Sequence, residues 1–353
     1  MVNLVNNSST SQNISAVKAV VWSAMEFDNE INIRLNHINE VIDSYLPVEE
    51  GMQVTVIEAM NYSVLAGGKR LRPMILLETF KMCGGTSEVV EPFMAAIEMI
   101  HTYSLVHDDL PAMDNDDYRR GKLTTHKKYG EDIGILAGDG LLNLAYETML
   151  KSFDFCYNDI TSNNVTLNNI TSNNITLENN SYSNNNRICD VMKVKNAISA
   201  CKLLSEKAGI YGMVGGQTLD VLLTNKTMNE DQLAFIFKLK TGALLEAAFT
   251  IGATLAGASS QTIDILLEVG KNVGLAFQIQ DDILDIISTQ EVLGKPVLSD
   301  EKNNKTTYVS LYGMEKALSD VEKLSREAIE QLKMVGNNDF LEQLILKLIK
   351  REK

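Results

Sequence analysis

Six aspartates in two clusters are the residues of this chain best placed to do chemistry. Asp281, Asp282 and Asp285 lie in QIQDDILDII, inside a long segment with helical apolar spacing. On a helix, positions i and i+4 share a face one turn apart. Asp281 and Asp285 therefore project to one side, with Asp282 beside them. Like charges so close oppose one another's ionisation unless a cation neutralises them. Asp108, Asp109 and Asp114, in HDDLPAMDNDD, form the second cluster. Two carboxylate clusters on apolar helices point to a hard divalent cation whose other ligands are anionic, the usual Mg²⁺ environment. The alternative is two solvated acidic helix ends.

Basic residues recur near these clusters. In GGKRLRP, Gly67 and Gly68 precede Lys69, Arg70, Arg72 and Pro73. A glycine loop with cations that feeds a helix start makes an anion cradle, and the same residues also suit an ordinary surface turn. Arg119 and Arg120 follow the first cluster; they serve either a salt-bridged loop or bidentate contacts to phosphate. His101 lies two helical turns before Asp108, on the same face, as a core histidine or a site residue. Lys240 and Thr241 fall inside an apolar stripe, where an ammonium needs an anionic partner. Gln217 and Asp220 share a face at i, i+3 in GGQTLD; no role is assigned to them.

Helices must position these groups. The periodicity predicts helices over 16–46, 52–66, 87–110, 131–155, 189–210 and 229–256, one around the second cluster, and amphipathic helix over the last forty residues. Pro47 to Gly51 is a break. Asp114 lies six residues after Asp108, on the wrong face of a regular helix, and Pro111 predicts a break that swings it back. Asp139, between glycines, reads as structural. No strand pattern is evident, so the expected fold class is all-α. Residues 1–15 read as a disordered extension, and 16–353 as one domain interrupted by an Asn-rich low-complexity insert at 158–186, where ITSNNVTLNN is followed by ITSNNITLEN. The loop EVLGKPVLSDEKNNK, with Lys295, Asp300, Lys302 and Lys305, suits a lid over phosphate.

The composition bounds the partners. A chain of 353 residues with net charge −14 is a poor match for nucleic acid. Four scattered cysteines without CxxC spacing suit a reduced, cytoplasmic protein. No apolar run reaches the eighteen residues of a membrane span, and the first residues lack the pattern of a secretory signal.

GGKRLRP, IHTYSLVHDDLPAMDNDDYRRGK, KTG, FQIQDDILD and LGKP occur in this order. With them the chain resembles the trans-isoprenyl diphosphate synthases, most closely the bacterial-type farnesyl and geranylgeranyl diphosphate synthases. The resemblance implies a helical bundle around a deep apolar cavity, usually a homodimer, that condenses isopentenyl diphosphate head-to-tail with allylic diphosphates. By it, Asp108, Asp109, Asp114, Asp281, Asp282 and Asp285 hold Mg²⁺ on the allylic diphosphate, which Arg119 and Lys295 also bind. Lys69, Arg72, His101 and Arg120 take the diphosphate of isopentenyl diphosphate. Lys240, Thr241 and Gln278 stand next to the breaking C–O bond.

Tyr103 lies five residues before Asp108, about 7.5 Å along a helix rising 1.5 Å per residue. An aromatic ring at that depth, with Ser104 beside it, blocks a growing tail. The pattern resembles enzymes that stop at farnesyl diphosphate, with geranylgeranyl diphosphate as the alternative product. A terpene cyclase and a non-catalytic subunit of a two-chain prenyltransferase are the competing readings. Two intact DDxxD-type motifs and a second basic cluster weigh against both.

Overall fold

A computed structural model describes residues 22–156, 181–287 and 306–349 of the chain. The described part is built of helices: α1 (Ala24–Ser44), α2 (Val54–Val64), α3 (Leu71–Met82), α4 (Glu91–Asp108), α5 (Thr125–Tyr129), α6 (Glu131–Leu150), α7 (Ser181–Ala208), α8 (Met213–Leu222), α9 (Glu230–Ile236), α10 (Ala243–Leu255), α11 (Ser260–Ile287), α12 (Tyr308–Tyr312), α13 (Met314–Val335) and α14 (Asp339–Ile349). The expected all-α bundle is what the chain forms. One feature departs from it. Tyr118–Arg119 (β1) and Lys122–Leu123 (β2) pair antiparallel in a minimal hairpin. Arg120 at φ +53 and Gly121 at φ +74 turn the corner, the positive-φ pair that matches strand twist in two-residue hairpin loops.

Central helices position the site. All 13 residues of α10 are buried, its polar row of Glu246, Thr250 and Thr254 included, with Glu246 paired to Lys207 of α7 and the threonine hydroxyls donating to carbonyls one turn back; α3, α7 and α11 surround it. Beside α3, α4 packs along α6 and buries an unbroken run from Pro92 to Ile100. At its other end, α4 carries the first aspartate cluster.

Several element bounds differ from the periodicity reading. Residues 16–21 of the first expected helix lie outside the described residues, as do the lid loop with Lys295, Asp300, Lys302 and Lys305 and most of the Asn-rich stretch. That stretch ends earlier than its composition suggests, because α7 already begins at Ser181. α3 starts at Leu71, so Pro73 falls in the first turn, where a helix leaves N–H groups unpaired in any case. The expected helix over 229–256 is not continuous. Asn229 and Gln232 form a capping box for α9, residues Phe237–Gly242 make a π-helical turn, and α10 follows.

Within the basic loop, Arg70 is structural. At φ +46 it caps α3 and points inward, where Nη1 donates to Glu98 Oε1 at 2.8 Å, Nε to Asn39 Oδ1 at 3.0 Å and Nη2 to the Val64 carbonyl at 2.7 Å. Both charged side chains are 2% exposed. Removing one partner of such a pair strands the other charge away from water. Glu98→Ala is therefore expected to destabilise the fold by about 3–5 kcal/mol, read from denaturant unfolding. A loss below about 1 kcal/mol would mean that Arg70 is neutralised by something other than Glu98.

Candidate active site

Asp108 is the last residue of α4, and Asp109 caps it. The chain then folds back as Pro111 predicts: the Asp114 N–H donates to the Asp108 carbonyl at 2.8 Å. This brings the first and last aspartates of the cluster together. Asp109 turns the other way. Only 3% exposed, it accepts from Arg119 Nε at 2.8 and 2.9 Å and from Nη2 at 2.5 Å. Asp109 thus fastens Arg119, and with it the hairpin, to the end of α4, and its oxygens are committed to that guanidinium.

From Asp108 a polar chain runs across the bundle. Gln217 Nε2, on α8, donates to Asp108 Oδ1 at 2.6 Å. One turn further along α8, Asp220 Oδ2 accepts from Lys240 Nζ at 2.6 Å. Thr241, the next residue, donates its hydroxyl to Gln278 Oε1 at 2.8 Å. Gln278 lies one turn before Asp282 on α11. Asp282 is 4% exposed and accepts the Tyr308 N–H at 2.7 Å. Asp281 is half-buried, and Asp285 is buried. The two aspartate clusters are therefore joined through α8, the π turn and α11. Sequence reasoning singled out Gln217 and Asp220 by spacing but gave them no part in this; the need of Lys240 for an anion was the signal that could have recruited Asp220.

The π turn is closely clamped. A Cβ on Gly216 of α8 would lie 2.2 Å from the Lys240 nitrogen, and one on Gly274 of α11 would lie 3.0 Å from Gly242 Cα. Backbone meets backbone on both sides, so Lys240 and Thr241 are fixed by their main chain as well as by their side chains.

Two cavities flank the turn. The larger, about 510 Å³, is lined at one end by Arg72, His101, Asp108, Lys240 and Thr241, and continues past Ser104 and Tyr103 to Val221 and Leu222. The smaller, about 120 Å³, opens between Asp220, Lys240, Thr241, Gln278 and Asp282. A third cavity of about 610 Å³, at the far end of α3 and α10, contains none of the predicted residues. Size alone would therefore misplace the site.

Electrostatics agree with the geometry. Burial pushes the Asp108 carboxyl up to about 6; Lys240 opposes this and Asp114 adds to it. A buried carboxyl at a helix C-terminus is a poor place for an uncompensated negative charge. Burial alone would lower the Lys240 ammonium, but Asp220 and Asp108 hold it above its ordinary value. Burial, then the guanidiniums of Arg72, Arg120, Arg119 and Arg70, push the His101 imidazole well down, so it is neutral near pH 7. Arg72 Nε is buried without a hydrogen-bond partner, and Arg120 donates to the Gly67 carbonyl, tying the hairpin to the glycine loop. Lys69 is exposed in that loop. Guanidiniums crowded around a neutral imidazole, one with an unsatisfied donor, make a pocket for an anion.

The donor set also fits a hard cation. Asp108 and Asp114 are adjacent carboxylates, and the raised carboxyl of Asp108 gains from a positive charge. Among the described residues no three His, Cys, Asp or Glu side chains converge as a ready metal cage. One or two carboxylates completed by water and phosphate oxygens is the Mg²⁺ pattern, and the residues present are of that kind. No described helix is long and apolar enough to cross a membrane.

The chain as a whole is similar to known proteins of one family. A family model described as polyprenyl synthetase matches residues 53–344. The chain is 41% identical to the farnesyl diphosphate synthase of Micrococcus luteus over 323 residues, covering 90% of this chain and 96% of that one. It is 40% identical to the geranylgeranyl diphosphate synthase of Cyanophora paradoxa over 301 residues, covering 84% and 88%. Among solved structures, an FPP/GFPP synthase from Zymomonas mobilis superposes with a TM-score of 0.72 at 28% identity, covering 93% of this chain and all of that one, 100%.

Proposed function

The chain belongs to the polyprenyl synthetase family and is a prenyltransferase that elongates prenyl chains; from that premise we propose that it condenses isopentenyl diphosphate with dimethylallyl and geranyl diphosphates and stops at farnesyl diphosphate. The observation that carries this reading is the cavity of about 510 Å³, with Arg72, His101, Asp108, Lys240 and Thr241 at one end and Tyr103 in its wall.

In the reaction the allylic C1–O bond breaks, and its electron pair leaves with the diphosphate. The double bond of isopentenyl diphosphate then attacks C1 through C4, and the proton lost from C2 goes to the released diphosphate. Asp108, Asp114, Asp281, Asp282 and Asp285 would hold Mg²⁺, which when bound neutralises charge on the leaving diphosphate. Arg119, held by Asp109, and Lys295 bind that diphosphate. Arg72, whose Nε lacks a partner, binds the diphosphate of isopentenyl diphosphate with Lys69, Arg120 and the neutral His101. The Thr241 hydroxyl donates to Gln278, which leaves its lone pairs for the electron-poor carbon. Lys240, charged and fixed by Asp220, meets the departing oxygens. The apolar walls exclude water from the cation.

Exposed Ile135, Leu136 and Leu150 of α6 support a homodimer through that face, and the free thiols of Cys83 and Cys201 support a cytoplasmic location.

The test is incubation with Mg²⁺, isopentenyl diphosphate and, separately, dimethylallyl, geranyl and farnesyl diphosphates, with products read by mass spectrometry. The expected result is C15 from the two shorter starters, with farnesyl diphosphate left unused. Extension of farnesyl diphosphate to C20 would overturn the product assignment. In the same assay Tyr103→Ala is expected to make C20 the main product; unchanged C15 would move the floor of the cavity elsewhere.

A further inference from the structure

Tyr103 does not stand alone in the cavity wall. His107, one turn further along α4, meets it edge-on, with ring centroids 5.8 Å apart and planes at 83°. His107 Nε2–H donates to the Ile135 carbonyl of α6 at 3.1 Å, and the same nitrogen is 3.9 Å from Asp139 Oδ1. The imidazole fits there because residue 138 of α6 is glycine. A Cβ at that position would lie 2.0 Å from His107 Nε2 and 2.2 Å from its Cδ2. Both rings line the cavity of about 510 Å³.

A buried ring keeps one rotamer because its neighbours leave no other space. Tyr103 is 6% exposed, and His107 is the aromatic neighbour on its own helix. The imidazole is in turn pinned to α6 by a backbone acceptor and a missing side chain. We propose that His107 and Gly138 are positioning residues that set product length by holding Tyr103 across the path of the growing chain. The inference rests on the reading of Tyr103 as the stop. Without the imidazole, the Tyr103 ring gains room to rotate aside, and the farnesyl tail gains depth. A Cβ on residue 138 reaches the same end from the other side, since it must push the imidazole out of its seat.

The experiment compares Tyr103→Ala, His107→Ala, His107→Phe and Gly138→Ala, each supplied with Mg²⁺, geranyl diphosphate and isopentenyl diphosphate. The readout is the C20 to C15 ratio, which a general loss of rate or stability does not move. His107→Ala and Gly138→Ala are expected to raise it about tenfold or more, a change of about 1.4 kcal/mol in the partition. His107→Phe keeps a ring against Tyr103 and is expected to stay with C15. Should Gly138→Ala not fold, the two His107 variants decide alone. If Tyr103→Ala lengthens the product but His107→Ala retains the original ratio, the positioning role is overturned while the stop stands. If Tyr103→Ala also yields only C15, the stop itself fails and the positioning role falls with it.

Discussion

Asp108→Ala is expected to lower kcat on the order of 10³-fold, about 4 kcal/mol of transition-state stabilisation. The size follows from how much is aimed at this carboxylate. It ends α4, where the helix dipole is negative, and burial pushes it up to about 6. Gln217 occupies one oxygen at 2.6 Å, which orients the other. The turn after Pro111 returns Asp114 to its side. The helix end, the burial and the second carboxylate are each costly for a bare carboxylate and become favourable beside a cation. The check is steady-state kinetics across a Mg²⁺ titration, with circular dichroism to confirm the fold. A fall of less than tenfold at saturating Mg²⁺ would remove Asp108 from the metal site. Asp109→Ala provides a contrast: it acts by releasing Arg119 and is expected to raise KM for the allylic substrate more than it lowers kcat.

Gly216→Ala is expected to lower kcat about 10²-fold with a smaller effect on KM, because a displacement near 1 Å of a catalytic group has that consequence. The added methyl would stand 2.2 Å from the Lys240 nitrogen and 2.8 Å from the Leu239 carbonyl carbon. Those are main-chain atoms, which no rotamer change can clear. On the opposite side a Cβ on Gly274 would lie 3.0 Å from Gly242 Cα, which leaves the π turn little room to retreat, so the methyl is expected to carry Lys240 and Thr241 off their partners. Overpacking of this kind also costs about 1–3 kcal/mol of stability, visible in thermal melts. Rate and melting temperature both near the wild-type values would mean that the turn yields without disturbing either side chain.

The sequence already showed the helices, and less clearly how their side chains meet. Helical spacing made the bundle legible, since a segment such as Ala243–Leu255 is almost wholly apolar, interrupted by Glu246, Thr250 and Thr254 alone. The return of Asp114 was legible from Pro111, because a proline beyond the first turn of a helix cannot continue the ladder. The pairing of Lys240 with Asp220 was legible only as a need. Burying an ammonium demands an anion, but which one is a fact of packing between α8 and the π turn. The π turn itself left no trace, because FKLKTG is ordinary helix sequence and its extra residue depends on glycines on two other helices. The hairpin was missed because two residues per strand show no alternation. Arg70 and Arg72 read alike in GGKRLRP, yet one is locked to Glu98 and the other keeps an unsatisfied nitrogen in the site. Composition cannot tell which way a helix start will face.

Asp108 and Tyr103 lie on one unbroken helix, five residues apart, so on the proposed reading origin and end-stop are engraved on a single rigid rod about 7.5 Å apart. Breathing between helices widens or narrows the bore but leaves that interval unchanged. On that reading the gauge is insulated from temperature and crowding, and its setting screws are the side chains of α4 and the missing one at Gly138 of α6. Product length can then drift by single substitutions while the machinery on α8, the π turn and α11 stays constant.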